Sequence, residues 1–401
     1  MNIIERIETE IIKECNVLVC GGGFAGISAA LAAARCGEKV ILLDKGYMLG
    51  GLGTAGLVTI YLPLCDGKGQ QVSFGIAEEL FRLSISMGAE GRYPENWLDS
   101  TDVTKRTDKD KRFEVQFNPQ IFALLAEQLL IREGVEILYG TYAVAADLKE
   151  SKIESVIIEN KSGRQAIKVK SVVDASGDCD IAHFACVTTE DFKQGNALAA
   201  WYYSDGDKGY KLNMLGFCDI AERERTEENR KCLLNERKFQ GLDGEELSEY
   251  MQMSHSSILH DIMRRRVSEN EVWPVTIATI PQIRMSRKIV GEYILDDSES
   301  HKYFSDSIGM ISDWRKRGPV YEIPFRSLYS KQVRNLITAG RCVSVTETMW
   351  DIMRVIPCCA VTGQAAGTAA AMSDDFGNLE ISELQEELVK NHVVLHINDL
   401  K

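Results

Sequence analysis

A glycine-rich turn near the start of the chain constrains the fold more than any other feature. The apolar run 17–20 leads into the motif Gly-x-Gly-x-x-Gly at residues 21–26, and a second apolar run, 40–43, ends in Asp44. This order predicts a strand, a tight turn, a helix and a second strand that stops at an acidic residue. The pattern is that of a dinucleotide-binding βαβ unit, whereas a glycine turn in an unrelated loop would not need both strands and the acid.

Each residue type in this motif has a physical task. Gly21 permits the tight turn, and Gly23 has no Cβ, so the backbone can approach a pyrophosphate closely. Gly26 allows the helix to pack against the sheet. The first N–H groups of the helix, together with its positive dipole end, would bind the phosphates. Asp44 can accept hydrogen bonds from the hydroxyl groups of a ribose.

Three further segments favour FAD over a nicotinamide dinucleotide. A second glycine loop, 50–56, follows Asp44 at a point where an NAD-binding dehydrogenase would run into its next helix. Such a loop suits a flat ring system and a ribityl chain that lie against backbone. Far downstream, residues 335–342 read as a short buried strand that ends in Ala-Gly-Arg. They precede a helix of small residues at 362–371, whose N-terminus could stabilise negative charge on a reduced flavin.

Four segments together resemble the bacterial FAD-dependent oxidoreductases of the glutathione-reductase-like flavoprotein superfamily. They are GGGFAGISAALAAARCGEKVILLDK at the N-terminus, GGLGTAG, VVDASGDCDIAHFA at 172–185, and NLITAGRC with RVIPCCAVTGQAAGTAAAM at 335–372. The matches extend from about residue 15 to residue 372 and follow the family's order. Two positions depart from the family pattern, because Phe24 stands where a proline is common and Asp44 where a glutamate is common.

The resemblance also implies the FAD-binding residues. The first motif would hold the ADP half, the second glycine loop the ribityl–pyrophosphate region, the segment around residue 143 the adenine, and the two late segments the flavin ring. The implied contacts are Gly21, Gly22, Gly23, Phe24, Ala25, Gly26, Asp44, Lys45, Gly50, Gly51, Leu52, Gly53, Thr54, Ala143, Ala175, Gly177, Gly340, Arg341, Gly363, Gln364 and Ala365.

Candidate catalytic residues come from the segment that leads into the Ala-Gly-Arg strand. An arginine fork at Arg284 or Arg326 could clamp a carboxylate or a polarised carbonyl, and Tyr321 could donate a proton. The alternative is structural, since arginines in such segments also bridge domains or cap strand ends. Arg287 and Arg354 are open to the same two interpretations.

Composition and charge limit the class of partner and the compartment. The net charge of −13 argues against nucleic acid or an anionic membrane as a partner. Neither a signal peptide nor a transmembrane stretch is evident, so no membrane insertion is expected. The eleven cysteines form no CxxC motif, which argues against a bound metal or cluster. Their odd number, without a secretory signal, points to the reducing cytoplasm. Cys358 and Cys359 could pair or remain two core thiols.

The chain is long enough for two domains. We expect an α/β fold in which a Rossmann-like FAD-binding domain, with a mixed parallel sheet and an attached β-hairpin layer, carries an inserted α+β substrate domain. The FAD-binding domain is predicted at 14–190 and 330–401, and the substrate or cap domain at 191–329. Within these domains we predict a helix from Pro119 to Leu130, a hairpin at 152–173, and charged helices at 220–240 and 244–267. A charged loop is predicted at 99–112.

Three functions are compatible with this pattern. The favoured one is an FAD-dependent oxidoreductase that transfers a hydride between a small organic substrate, for which an anionic group is one candidate feature, and flavin N5. The second is a flavoprotein subunit that relays electrons to a separate iron–sulfur or quinone partner. The third is a flavin-binding protein without redox turnover. The sequence leaves the oligomeric state open.

Overall fold

The glycine motif joins a strand to a helix in the computed structural model, which describes residues 3–4, 6–91, 93, 113–216 and 226–400. The strand is β1 (Ile11–Cys20), the helix is α1 (Phe24–Arg35), and the chain returns as β2 (Val40–Leu43). β1 and β2 pair in parallel, with Val17 opposite Val40. The predicted strand–turn–helix–strand order is therefore confirmed.

The remaining strands of the described chain are β3 (Ile60–Tyr61), β4 (Val115–Gln116), β5 (Glu136–Leu138), β6 (Tyr142–Lys149), β7 (Lys152–Asn160), β8 (Gly163–Asp174), β9 (Thr189–Asp191), β10 (Ala200–Gly206), β11 (Lys211–Leu215), β12 (Val272–Ile277), β13 (Arg287–Ile289), β14 (Ser307–Ser312), β15 (Val320–Pro324) and β16 (Leu336–Thr338). The remaining α-helices are α2 (Ile76–Ile85), α3 (Pro119–Arg132), α4 (Asp180–Phe184), α5 (Glu227–Lys231), α6 (Gly244–Arg265), α7 (Glu347–Met353), α8 (Ile356–Met372) and α9 (Ile381–Lys390).

A mixed sheet in the order β5-β2-β1-β8-β7-β6 forms the centre of the molecule, and β16 pairs with β8. β5, β2, β1, β8 and β16 are parallel neighbours, whereas β7 and β6 continue the sheet antiparallel. The predicted hairpin is confirmed, because β7 turns into β8 with Asn160 opposite Gly163. All parallel strands end at one edge, so the turns that follow them meet there, as ligand-binding turns do in open α/β sheets.

Local sequence signals explain where α3 begins and ends. The Asn118 side chain accepts hydrogen bonds from the backbone N–H groups of Gln120 and Ile121, and Pro119 occupies the first helical position. Gly134, with a φ of 80°, follows the end of the helix. The prediction from Pro119 to Leu130 is confirmed, and the helix continues to Arg132.

Two helices cross closely on one side of the sheet. α8 packs along α1, and its Gly363 and Gly367 face the α1 backbone. A Cβ at Gly367 would lie inside van der Waals contact of the Ala29 carbonyl, and a Cβ at Gly363 would meet the Ala25 carbonyl in the same way. The small residues of α8 therefore serve this helix–helix contact.

The part of the chain that follows α4 builds smaller sheets. β10 lies between β11 and β12 in an antiparallel sheet on which α6 packs. The prediction for 244–267 is confirmed by α6. The prediction of a long helix at 220–240 was wrong in its described part, where α5 ends at Lys231 and turns follow. Residues 217–225 and the predicted charged loop at 99–112 lie outside the described residues.

The largest hydrophobic core crosses the predicted domain limits. Side chains of α1 and α8 share this core with residues of β14 and β15, including Ile311 and Ile323. A second core lies on the other face of the sheet around Leu18, Ile158 and Val172. The limits at 190/191 and 329/330 remain predictions.

No single helix in the described ranges is long and apolar enough to cross a membrane. α7 and α8 reach that length and apolar character only when they are taken together, and the two helices are bent by 90° to each other.

The α1–α8 crossing gives the first prediction. Gly367→Ala should lower the free energy of unfolding by about 1–3 kcal/mol, because the added methyl group forces two packed backbones apart. The matched control is Gly244→Ala at the start of α6, where a Cβ would meet no atom within 4 Å. That variant should be neutral or slightly more stable. Chemical denaturation measures both, and equal stability of the two variants would contradict the packing argument.

Candidate functional site

The candidate site lies at the edge of the sheet where β1, β2, β8 and β16 end. Here the first glycine turn meets the second glycine loop, because the Gly50 N–H donates to the Gly22 carbonyl at 2.8 Å and residues 23 and 50 form a bridge. The turn after β8 lies against them, since a Cβ at Gly21 would collide with the Ala175 carbonyl. The structure thus brings these three predicted cofactor segments together, and the fourth reaches the same edge through β16, because the Ala339 N–H donates to the Asp174 carbonyl at 3.0 Å.

At Gly23 the site has open space into which part of a dinucleotide would fit. Its φ of −71° is open to any residue, and a Cβ there would meet no protein atom within 4 Å. Neither backbone conformation nor protein packing therefore requires glycine at this position. Gly23 is also the N-cap of α1, which has no side-chain cap. Space next to a helix N-terminus fits a pyrophosphate, which the N–H groups and the helix dipole would bind.

Asp44 stands beside this turn with its carboxylate fixed by the backbone. Oδ2 accepts a hydrogen bond from the Gly22 N–H at 2.9 Å, and Oδ1 accepts one from the Gly46 N–H at 2.6 Å. Burial raises the pKa of Asp44 above its usual value. Each oxygen keeps a second lone pair, so the carboxylate can still accept hydrogen bonds from a ribose. The strand that carries Ala143 begins next to it, since the Thr141 N–H donates to the Asp44 carbonyl at 3.0 Å.

The second glycine loop packs back on itself before it leaves the sheet edge. Thr54 donates its hydroxyl to the Leu49 carbonyl at 2.6 Å, and the Val58 N–H donates to the Leu52 carbonyl at 2.8 Å. Leu57 has a φ of 57°, which is rare for a side chain of this kind and marks a locally strained loop. A strained backbone conformation of this kind persists only where the surrounding structure holds it in place, and such conformations are common at functional sites.

Asp178 ties three chain segments together and was not among the predicted site residues. Its Oδ1 accepts a hydrogen bond from the Ser286 hydroxyl at 2.6 Å, and the carboxylate lies 3.6 Å from Lys45 and 3.7 Å from Arg341. Arg341 in turn donates from Nη1 to the carbonyls of Ile283 and Arg284, at 2.7 and 2.9 Å. In the sequence, the one indication of this role was that Asp178 directly follows Gly177, a predicted cofactor contact.

The acidic turn after β8 concentrates negative charge next to these cations. Asp174 is fully buried and accepts hydrogen bonds from Ser176 and from the Ala182 N–H. Burial, together with the Asp178 and Asp174 carboxylates, raises the pKa of Asp180 to about 6. Arg287 lies 3.4 Å from Asp180 and donates to the Asp178 carbonyl, so its role is to hold this turn.

Three residues implied as flavin contacts have partners within the protein, and their contact with the flavin stays a prediction. α8 begins at Ile356, so the prediction that this helix begins at Thr362 was wrong and its first turn contains Cys358 and Cys359, both free thiols. Gly363 faces α1, and Ala365 is buried in the core. Gln364 accepts from the Ile76 N–H at 2.8 Å and lines a cavity of about 510 Å³ near the opposite end of α1. The small residues at 362–371 do not show by themselves where the helix that contains them begins.

Phe24 contributes to the site through its backbone. Its ring stacks on Phe122 with centroids 4.4 Å apart and meets the edges of Tyr61 and Phe117. The aromatic side chain that replaces the family's proline therefore anchors the start of α1 in the core, while its N–H belongs to the first turn.

The three predicted catalytic residues do not form a cluster. Arg284 is 1% exposed, with its guanidinium 4.8 Å from the Trp201 ring centre. Tyr321 is buried, donates its hydroxyl to the Asp297 carbonyl at 3.0 Å, and has its pKa raised to about 12 by burial. Arg326 is on the surface, paired with Asp306 at 2.8 Å and stacked over Tyr293. The structural interpretation therefore fits each of the three residues, and their role in catalysis stays a prediction.

The fold and this sheet edge define a dinucleotide-binding flavoprotein. The sequence model of the family described as FAD dependent oxidoreductase matches residues 16–199 and 187–388. The chain therefore belongs to the FAD dependent oxidoreductase family, and it is an enzyme with FAD as its cofactor. The residues at Gly23 and Asp44 fit that cofactor.

Three solved structures that are similar to this chain share little sequence with it. THI4 from Thermovibrio ammonificans is 16% identical over 46% of this chain with a TM-score of 0.32, and the chain spans 66% of that protein. A geranylgeranyl bacteriochlorophyll reductase-like protein from Thermoplasma acidophilum is 13% identical, with 95% of this chain and 84% of that one covered at a TM-score of 0.43. p-Nitrophenol 4-monooxygenase PnpA from Pseudomonas putida DLL-E4 is 12% identical, with 95% and 85% covered at 0.47. No curated protein matches the chain.

The cofactor cleft gives the second prediction. Gly23→Val should abolish FAD retention on purification, because the side chain occupies the space beside the α1 N-terminus. The stability of the cofactor-free protein should fall by no more than about 1 kcal/mol, the scale of a changed N-cap. FAD content is read from the absorbance of the purified protein, and thermal unfolding supplies the control for folding. Full FAD content in this variant would show that the turn does not face the cofactor.

Proposed function

We propose that this FAD-dependent oxidoreductase transfers a hydride between a small organic substrate and its flavin, and that the substrate carries an anionic group. FAD supplies the hydride chemistry at N5. The chain must hold the substrate, exclude water and move the accompanying proton. The observation that carries the proposal is the contact between the second glycine loop and the segment around residues 278–285.

Two hydrogen bonds attach this segment to the loop. Gln282 donates from Nε2 to the Gly56 carbonyl at 2.7 Å, and the Thr279 N–H donates to the Ala55 carbonyl at 2.9 Å. Gln282 also accepts from the Trp201 N–H at 3.0 Å, so one side chain joins the loop, this segment and β10. The loop is thereby covered by residues of the predicted substrate domain.

The covering residues give this region a dry and partly cationic character. Leu57, Tyr203 and Ala278 pack together and are buried, which keeps water from the loop. The Arg341 guanidinium lies at the same junction, bound to the carbonyls of Ile283 and Arg284. Although Asp178 lies 3.7 Å from this guanidinium, Arg341 is a cation held at the junction of a chain whose net charge of −13 would repel an anion, and on this we base the proposal of an anionic substrate.

The third prediction tests substrate-driven reduction. Anaerobic wild-type protein with bound FAD is mixed with small hydroxy acids, amino acids and unsaturated acids, and with neutral alcohols of similar size. We expect at least one acid, and none of the neutral alcohols, to bleach the flavin absorbance. A flavin that responds only when an iron–sulfur or quinone partner is added would support the electron-relay function. A flavin that no compound or partner reduces or reoxidises would support a non-redox role.

The Gln282 bridge supplies a matched pair of variants for the same assay. Gln282→Met removes both hydrogen bonds to the loop and β10 at nearly constant volume, and reduction should slow by about tenfold or more with FAD content unchanged. The control is Gln385→Met on α9, where Nε2 donates to the carbonyls of Ser305 and Ser307. Equal reduction rates in the two variants would contradict the proposed covering role.

A further inference from the structure

A chain of polar side chains connects the end of the second glycine loop to the surface. Thr59 lies three residues beyond Gly56, and its Oγ1 is 2.8 Å from the Tyr203 hydroxyl. Both side chains are fully buried. The two residues belong to the loop segment and to β10, so this contact crosses between the predicted FAD-binding and substrate domains.

The Tyr203 hydroxyl continues to Glu90 at the rim of the protein. Gln116 donates from Nε2 to the Glu90 Oε2 at 2.9 Å and to the Tyr203 hydroxyl at 3.4 Å, so the carboxylate and the hydroxyl share one amide group. Burial, together with the hydrogen bond to Glu90, raises the pKa of Tyr203 above its ordinary value. Glu90 is only half-buried and therefore exchanges protons with solvent.

The surroundings of Glu90 act on the pKa of its carboxyl group in two opposite ways. Four side chains of the described chain hydrogen-bond it: Tyr203, Gln116, Tyr210 and Asn118. Each of these groups is neutral. Burial outweighs their hydrogen bonds and raises the pKa of Glu90 above its usual value.

The aromatic cover protects the middle of the chain from water. The ring of Tyr210 stacks on that of Tyr203 with centroids 5.0 Å apart and an interplanar angle of 13°. Tyr210 is itself 44% exposed, so it separates the buried hydroxyl pair from solvent. Thr59 and Tyr203 are thus shielded from solvent, whereas Glu90 is half-buried at the outer end of the chain of side chains.

We propose that Thr59, Tyr203 and Glu90 form a proton relay between the end of the second glycine loop and solvent. The proposal rests on the redox function proposed above, since reduction of the flavin by two electrons is accompanied by one proton. No sequence motif indicated this relay, because Thr59 and Tyr203 are 144 residues apart in the chain.

The relay conserves every proton that it carries. In the inward direction, Glu90 gives its proton to the Tyr203 oxygen while the Tyr203 proton passes to the Thr59 oxygen and the Thr59 proton leaves toward the flavin side. Each oxygen of Tyr203 and Thr59 forms one O–H bond and loses one. The Glu90 carboxylate then takes a proton from water. Outward transfer reverses each step.

The fourth prediction separates proton transfer from electron transfer. Reduced methyl viologen gives one electron per molecule and no proton, so reduction of bound FAD by two viologens draws one proton from the medium. Flavin and viologen absorbance report the electrons, and a pH-indicator dye reports the proton. In Tyr203→Phe, we expect unchanged electron transfer and proton uptake that is slower by about tenfold or more, the lower part of the range for positioned acid–base groups.

The neighbouring tyrosine is a matched control. Tyr202→Phe removes a hydroxyl from the same strand, one that donates to Asp261 at 2.7 Å, and its proton uptake should equal that of the wild type. Thr59→Val interrupts the relay at its inner end with almost no change of shape and should reproduce the Tyr203→Phe result. Wild-type proton uptake in both relay variants would overturn the relay. A wild-type FAD that viologen cannot reduce would instead overturn the redox function.

A second measurement needs no flavin. Because the folded protein raises the pKa of Glu90, the stability contributed by that shift is complete below the pKa of an unfolded glutamate, about 4.3, and is lost as pH rises through the folded value. The melting temperature of the cofactor-free wild type, minus that of Glu90→Gln, should therefore fall as the pH rises from the pKa of an unfolded glutamate through the pKa of Glu90 in the folded protein. A difference that is independent of pH would contradict the role assigned to Glu90.

Discussion

The close approach of α1 to the end of β1 is the contact on which the site depends. A Cβ at Gly26 would overlap the Gly21 carbonyl, so the first turn of the helix rests directly on the turn that leaves the strand. This contact points the N-terminus of α1 at the sheet edge, where β2, β8 and β16 also end. The same edge receives the second glycine loop through the Gly50–Gly22 hydrogen bond. One backbone contact thus places the helix dipole, the Asp44 carboxylate and the loop around a common space.

Charge organises the junction between the sheet edge and the smaller sheets. Asp178 contacts Lys45, Arg341 and Ser286, which come from three separate segments. Buried or half-buried charges are stable only with partners, so these residues fix one another's positions. The Arg341 guanidinium is directed to two backbone carbonyls beyond Asp178. The residue that the sequence assigned to the flavin therefore also holds the neighbouring segment in register.

The sequence was sufficient for the elements whose signals are local. The turn at 21–26, the cap at Asn118 and the hairpin around 160–163 each depend on residues close in the chain, and the structure contains all three. The start of α8 was missed because the small residues of 362–371 resemble a first turn, while the helix begins at Ile356.

Side-chain partners that come from distant segments could not be predicted. Arg326 and Tyr321 stand near the Ala-Gly-Arg strand in sequence, but Asp306 and the Asp297 carbonyl bind them away from Arg284. The contacts of Gln282 with Gly56 and of Thr59 with Tyr203 likewise join segments that no motif connects. Which residues meet in such pairs depends on how whole helices and strands pack together, and this packing cannot be read from a single sequence.

We expect the glycine turn, α1 and Asp44 to bind the adenosine diphosphate half of FAD. The most direct measurement is a titration of the cofactor-free protein with FAD, FMN and NAD⁺ in parallel. FMN lacks the adenosine half, so it should bind about 10²-fold more weakly than FAD, equivalent to the loss of one or two charge-assisted hydrogen bonds. NAD⁺ should bind more weakly than FAD as well. Equal affinity for FMN and FAD, or binding of NAD⁺ in preference to FAD, would contradict this account.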